Sequence, residues 1–398
     1  MAKQLFHQNL PLEKSFFFIP RICLSFLGYW PNQTLGFLLI IRICLNYVLL
    51  FFATFSQIVF GFINIADLLL ALDAFCPALT EVVTLIKLLA FVYYRNNLKL
   101  CIIKLYKIMK ELTKNKDGFE IYNRLHYRAT IIAGGILCFS NLTNFSYGLR
   151  PLLNGAIMYY KSENVTIDMP FRVQIPVFLT ELPYLPFVYV SVWYTGLVTV
   201  FGFSGVDGFL VAYCHYISAM FKTIQLETKA IFSCLENKNF ASEEDSVIFR
   251  KKLKEVVILQ NKLNKICKSF TKIYTSVIIS HFFSSAAIIG LSVLDMLTNT
   301  GFGIVLYICY SAAVLAQLLT YCEGGSIVIQ SSLDIATSLY NVEWYKCNKP
   351  IQKTVLLIIM RAQQPITIAV PFFSPSMELF GTVLSSVGSY VTLLKTFL

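Results

Sequence analysis

Long apolar runs separated by short basic stretches dominate the chain. A helix needs about 20 apolar residues to cross a hydrocarbon layer about 30 Å thick. Six runs meet that length, at about residues 35–63, 65–93, 129–147, 175–217, 270–296 and 302–329. A seventh, from Val355 to Leu398, is about twice as long as one crossing needs and is interrupted by Pro365, Pro371 and Pro375. It predicts two helices cut at Ser374-Pro375. There serine can cap, proline suits the first turn, and Glu378 opposes the positive end of the macrodipole. The second piece, residues 375–398, would be about 36 Å long and can span.

Polar positions inside these runs refine the picture. The second span carries Asp73, Pro77, Glu81 and Lys87, which at membrane depth read as interhelical pairs or as functional charges. The fourth is expected to break at Pro183 and Pro186 and again at Gly202, Gly205 and Gly208, although the piece FGFSGVDGF also reads as close-packing positions, and it is long enough to project beyond the bilayer. On the terminal helix, Gly381, Ser385, Gly388 and Thr392 share one stripe, flanked by Thr382, Ser386, Ser389 and Thr396. Small residues at this spacing suit close helix packing. They equally suit a pore wall with Leu393 as a constriction that closes by dewetting, and periodicity leaves both readings open.

Composition agrees with the pattern: 56% of the 398 residues are hydrophobic and 14% charged, as in a multi-span membrane protein. The net charge of +11 does not point to nucleic acid, because the Lys and Arg residues lie between apolar runs. Segments 1–33, 94–128, 218–265 and 334–353 hold about two dozen of them, whereas the opposite loops hold Arg150, Lys161 and Arg172. The excess predicts a cytoplasmic amino terminus and an extracellular carboxy terminus, inverted relative to a G-protein-coupled receptor. The sequon Asn164-Val165-Thr166 then lies on the outer side, open to glycosylation. Within 1–33, Phe16, Phe17, Phe18, Tyr29 and Trp30 beside Lys14 and Arg21 read as an interfacial segment, and Arg42 as an orientation anchor.

Chemistry-bearing motifs are absent. Eleven cysteines are scattered singly without CxxC, and the four histidines show no metal spacing. There is no GxGxxG, Walker loop, GxSxG or HExxH, so neither an enzyme, a cofactor nor a metal is expected.

Three stretches together resemble the insect odorant receptor family: LSFLGYWP from Leu24 to Pro31, the segment from Gln317 to Tyr345, and the ending from Thr354 to Leu394. The resemblance implies an all-α membrane protein of seven transmembrane helices in the inverted topology. It also implies a tetrameric, non-selective cation channel with the seventh helix lining the pore, assembled with a shared odorant co-receptor in the plasma membrane of a sensory dendrite. Its parts would be a cytoplasmic or interfacial segment (1–33), a ligand-binding bundle of helices one to four (34–217), anchor extensions with helices five, six and half of seven (218–374), and the pore helix (375–398). By depth, the pocket for a small volatile would involve Leu72, Phe75, Cys76, Phe139, Thr143, Tyr147, Tyr184, Val188, Tyr307 and Tyr310. The pore and gate would be Ser385, Ser389, Thr392, Leu393, Thr396 and Phe397, and the subunit anchor Tyr340 and Trp344. The alternative is a gustatory-receptor-like homomeric channel. A G-protein-coupled receptor is disfavoured by the orientation and by the missing Asp-Arg-Tyr and Asn-Pro-x-x-Tyr signatures.

Overall fold

The computed structural model describes residues 12–161, 167–181, 183–235, 240–298 and 303–395. After one helical turn at Leu12–Ser15, ten helices follow among the described residues: α1 (Phe18–Leu27), α2 (Phe37–Ile63), α3 (Leu68–Tyr93), α4 (Arg95–Leu112), α5 (Lys116–Tyr160), α6 (Leu185–Phe232), α7 (Glu243–Thr298), α8 (Gly303–Tyr340), α9 (Lys349–Ala362) and α10 (Met377–Lys395). Six of them, α2, α3 and α5 to α8, are long and apolar enough to cross a membrane.

α6 is the axis of the bundle. It is buried on nearly every side, which is why its sequence is apolar all round instead of on one stripe. Its 48 residues run about 72 Å without a break. The expected break at the prolines is there, since the helix begins at Leu185 just after Pro183, with Pro186 in the first turn where its missing N–H costs nothing; the breaks expected at the glycines are not, and all three are sites of close helix approach. A Cβ on Gly205 would lie 2.8 Å from Leu24 Cγ, and one on Gly208 3.2 Å from the Ala133 Cβ. Gly205→Leu would therefore push α1 off α6; loss of a monodisperse elution peak for the full-length chain is the expected result.

The aromatic residues before α1 also differ from expectation. Phe16, Phe17, Tyr29 and Trp30 are buried. Phe17 adopts a left-handed φ of 52°, unusual for a non-glycine residue, held because its N–H donates to the Tyr216 hydroxyl at 3.0 Å and its ring stacks on Phe209 at 4.3 Å. Arg42 reaches the carbonyl of Phe26 at the end of α1 (3.1 Å).

Helix α5 extends well past the apolar run at both ends, and α7 begins 27 residues before the expected start of its span, within the basic block. The seventh apolar run does divide into two helices, with all three prolines in the connection between α9 and α10. The cap, however, is Ser376, whose Oγ accepts the Leu379 N–H at 3.2 Å, and not Ser374. That connection lies tight on α8: Met377 N–H donates to Ser326 Oγ at 2.9 Å, and a Cβ on Gly325 would meet the Pro375 carbonyl oxygen at 2.1 Å.

Candidate functional site

Helices α3, α5, α6, α7 and α8 enclose a cavity of about 100 Å³. Its wall is mostly apolar and aromatic, with Pro77, Phe171, Val200, Phe203 and Ile288, and it is punctuated by hydroxyls and amides. This is the composition of a small-molecule site, where buried area supplies affinity and a few polar groups fix orientation.

Local sequence explains the polar positions. Ser140, Thr143, Asn144 and Tyr147 fall on one face of α5 at three- and four-residue spacing. Asn144 lies against α6 only because residue 196 is glycine; a Cβ there would be 2.0 Å from Asn144 Oδ1. The Asn144 side chain is buried, yet neither its Oδ1 nor its Nδ2 has a hydrogen-bond partner among the described residues. Tyr310 donates to the Cys76 carbonyl at 3.1 Å and also meets the Thr80 hydroxyl. Glu81 accepts from Thr54 Oγ1 (3.0 Å) and Gln57 Nε2 (3.1 Å).

One end of the cavity is covered by the segment before α6. Phe171 packs on Tyr147 with ring centroids 5.1 Å apart, and Arg172 pairs with Asp73 at 3.2 Å. Gln174 ties this segment to α2, its carbonyl accepting the Ser56 hydroxyl at 2.6 Å. Sideways, a groove of about 570 Å³ between α5 and α8 shares Ser140, Thr143, Ala313 and Gln317 with the cavity.

At the other end Phe203 separates the cavity from a buried ionic cluster. Lys87 Nζ lies 3.2 Å from the Phe203 ring centroid and 2.7 Å from Asp207 Oδ1, and both charged side chains are 0% exposed. Tyr321 donates to the same carboxylate oxygen, and His281 Nδ1 is 3.5 Å from Lys87 Nζ. Asp207 Oδ2 has no partner among the described residues. Of the second-span charges, Lys87 thus forms an interhelical ion pair, Asp73 pairs with Arg172 in the segment before α6, and Glu81 lines the cavity with Thr54 and Gln57 as partners; Asp207, in the Gly-rich stretch, is the partner of Lys87 that sequence reasoning missed.

Of the ten pocket residues expected, Thr143, Tyr147 and Tyr310 line the cavity. Cys76 is buried beside it, its carbonyl accepting the Tyr310 hydroxyl. Leu72 is buried off the cavity, Phe75 packs edge-on to Phe62 at 5.4 Å, and Val188 packs behind Phe171 and Val192. Phe139 (66% exposed) lines the adjoining groove between α5 and α8, and Tyr184 is 53% exposed. The Tyr307 side chain, Asn164, Thr396 and Phe397 lie outside the described residues. Asn144, Thr80, Gly196 and Phe203 were not anticipated. For Asn144 the signal was present, an amide in helical register with Ser140 and Tyr147 inside an apolar span.

On α10, Ser385, Ser389 and Thr392 are exposed, each hydroxyl bonded to the carbonyl four residues earlier at 2.8 to 3.1 Å. Leu393 is 60% exposed, and a Cβ on Gly381 or Gly388 would meet nothing within 4 Å. Tyr340 is exposed at the end of α8, and Trp344 is half-buried in the turn that leads to α9.

Comparison with known proteins places this arrangement. The sequence model of the family described as 7tm Odorant receptor matches residues 67–388. Odorant receptor 22c of Drosophila melanogaster is 33% identical, with 96% of this chain and 97% of that protein covered. Odorant receptor 10a of the same species is 32% identical, with 97% of each covered. Among solved structures, the insect olfactory receptor OR5 from Machilis hrabei in complex with eugenol superposes with a TM-score of 0.79 at 16% identity, covering 97% of this chain and 99% of that one. A second structure of the same receptor superposes with a TM-score of 0.78 at 15% identity. Fold, six membrane-crossing helices and sequence agree: the chain is a multi-pass membrane protein and belongs to the 7tm odorant receptor family.

Proposed function

We propose that this chain is an odorant-tuned subunit of a ligand-gated cation channel, which binds a small volatile in the cavity among α3 and α5 to α8 and acts together with a shared co-receptor subunit. The observation that carries this reading is the cavity itself, apolar and aromatic with an unpartnered buried amide, in a member of the odorant receptor family. The fold it shares with a receptor solved in complex with eugenol supports it.

Helix α10 is the pore helix in this reading. Within one chain α10 leaves Gly381 and Gly388 uncontacted and Leu393 60% exposed, a face that neighbouring subunits cover in this reading. The same holds for α9 and its neighbourhood, where Leu357 (65% exposed), Met360 and Tyr340 form an apolar surface that suits the subunit anchor. The inverted topology follows from the basic residues on 94–128 and 218–265.

The route from ligand to pore runs through packed rings. Phe203 joins the cavity to Lys87, Asp207, His281 and Tyr321; Phe282, beside His281, packs on Phe373 at 4.7 Å; and Phe373 lies in the connection leading into α10. A ligand shifts this path only by binding the open arrangement more tightly than the closed one.

The test is whole-cell current evoked by a panel of volatiles in cells expressing this chain with and without the co-receptor, with G-protein signalling blocked. Fast current from the pair alone is expected. Current from this chain by itself would favour the gustatory-receptor-like homomeric channel, and loss under the block would overturn the channel reading. Leu393→Ala is expected to raise unliganded current by shrinking the apolar constriction. An unchanged basal leak at equal surface expression would remove Leu393 from the gate.

A further inference from the structure

A second cavity, of about 500 Å³, lies between α4 and α7 and shares no lining residue with the ligand site. Lys104 from α4 and Lys262, Lys265 and Lys272 from α7 line it, with no carboxylate on its wall. The three α7 lysines recur at spacings of three and seven, so one helix face presents them together. All four are exposed, and none makes an ion pair among the described residues. Burial pushes the Cys101 thiol up to about 12, so it adds no negative charge.

The cavity is not uniformly polar. Leu100, Ile266 and Ile273 form its apolar part. It also sits where both helices change character. On one side Tyr94 marks the switch from the apolar α3 to the basic α4; on the other, the run from Lys262 to Lys272 gives way to the apolar span that begins at Ile273. Tyr93, 77% exposed at the same switch, is an aromatic residue of the kind that marks a headgroup layer. Unpaired cations, an apolar wall and a level at the membrane boundary describe one kind of ligand, with phosphate charges on one end and hydrocarbon on the other.

We infer that this α4/α7 cavity binds the headgroup of a multiply phosphorylated anionic lipid. Bound there, the headgroup would bridge Lys104 to the α7 lysines. It would thus tie α4, the continuation of the cavity-lining α3, to the helix that carries His281 and Phe282.

The experiment is native mass spectrometry of the purified full-length chain in detergent with added dioctanoyl phosphatidylinositol 4,5-bisphosphate, which does not depend on the orientation or the channel reading. A saturable adduct is expected. The variant Lys104→Gln/Lys262→Gln/Lys265→Gln/Lys272→Gln should weaken it at least about tenfold, since each cation near an anionic headgroup contributes on the order of fivefold. The variant Arg250→Gln/Lys251→Gln/Lys252→Gln/Lys254→Gln, with the same charge loss further along α7, should stay within about twofold. Should the first variant fail to elute as folded protein, the pairs Lys104→Gln/Lys272→Gln and Lys262→Gln/Lys265→Gln carry the same comparison. Equal weakening by both charge-loss variants, or equally tight binding of dioctanoyl phosphatidylcholine, would overturn the site. Inositol 1,4,5-trisphosphate binding as tightly as the lipid would overturn the lipid assignment and leave a soluble phosphate as the ligand.

Discussion

Lys87→Met is expected to cost the chain about 3–5 kcal/mol of stability, the largest effect of any single exchange considered for this protein. The reason is not the strength of the pair but what remains without it. Lys87 and Asp207 are both fully buried, and among the described residues Asp207 receives its only other side-chain bond from Tyr321. Removing the lysine leaves a carboxylate in the bundle with neither water nor a counter-charge. The expected readout is a lower melting temperature of the full-length chain, followed by fluorescence-detected size exclusion, together with loss of surface expression. The double variant Lys87→Met/Asp207→Leu should recover most of the loss, because two apolar residues of similar volume require no pairing. If the single and double variants melt alike, the ion pair is not what holds α3 to α6. A double variant that reaches the surface but no longer passes agonist current would show the pair to serve gating through Phe203.

The second large effect is expected at Asn144. Its amide is buried against Gly196 with both polar atoms unpartnered among the described residues, which is costly unless a ligand or water satisfies it. For an agonist bearing a hydroxyl or carbonyl that bonds this amide, Asn144→Leu should raise the half-maximal concentration by about 10- to 100-fold, the cost of about 1–3 kcal/mol for a lost buried hydrogen bond. A hydrocarbon agonist of similar size should lose little or gain, since the variant no longer buries an unsatisfied group. Dose-response curves for such a matched pair at equal surface expression decide it. Parallel shifts for both agonists would mean that the exchange alters cavity shape and that Asn144 does not read the ligand's polar group.

These two residues also show what could be read in advance. Lys87 stood out as an ionisable group in an apolar span, and its role as half of an interhelical pair was one of two readings. Its partner, 120 residues away, was hidden because the sequence does not show which helix faces Asp207. Thr143, Tyr147 and Tyr310, which the resemblance puts at the pocket by depth, lie on the cavity wall. Phe139 and Tyr184 share their depth with that set but are exposed and off that wall, and depth carries no information about rotation around a helix axis. The ends of α5 were misjudged for a related reason. Apolar runs mark where lipid or core is, whereas α5 continues through polar sequence because each added residue gains a backbone hydrogen bond once the helix is nucleated.

What the sequence by itself determined is everything that depends on near neighbours in the chain. That comprises the all-helical class, the apolar runs long enough to span, the division of the last run at its prolines, and membership of the family through its closing segments. The tertiary structure alone decided which face of each helix turns inward, that Gly196, Gly205 and Gly208 are contact points and not breaks, that Lys87 meets Asp207 beneath Phe203, and that four lysines from two helices surround one cavity. The physical reason is that length, propensity and hydropathy are local sums along the chain, while a cavity or a buried ion pair arises from the packing of helices far apart in sequence.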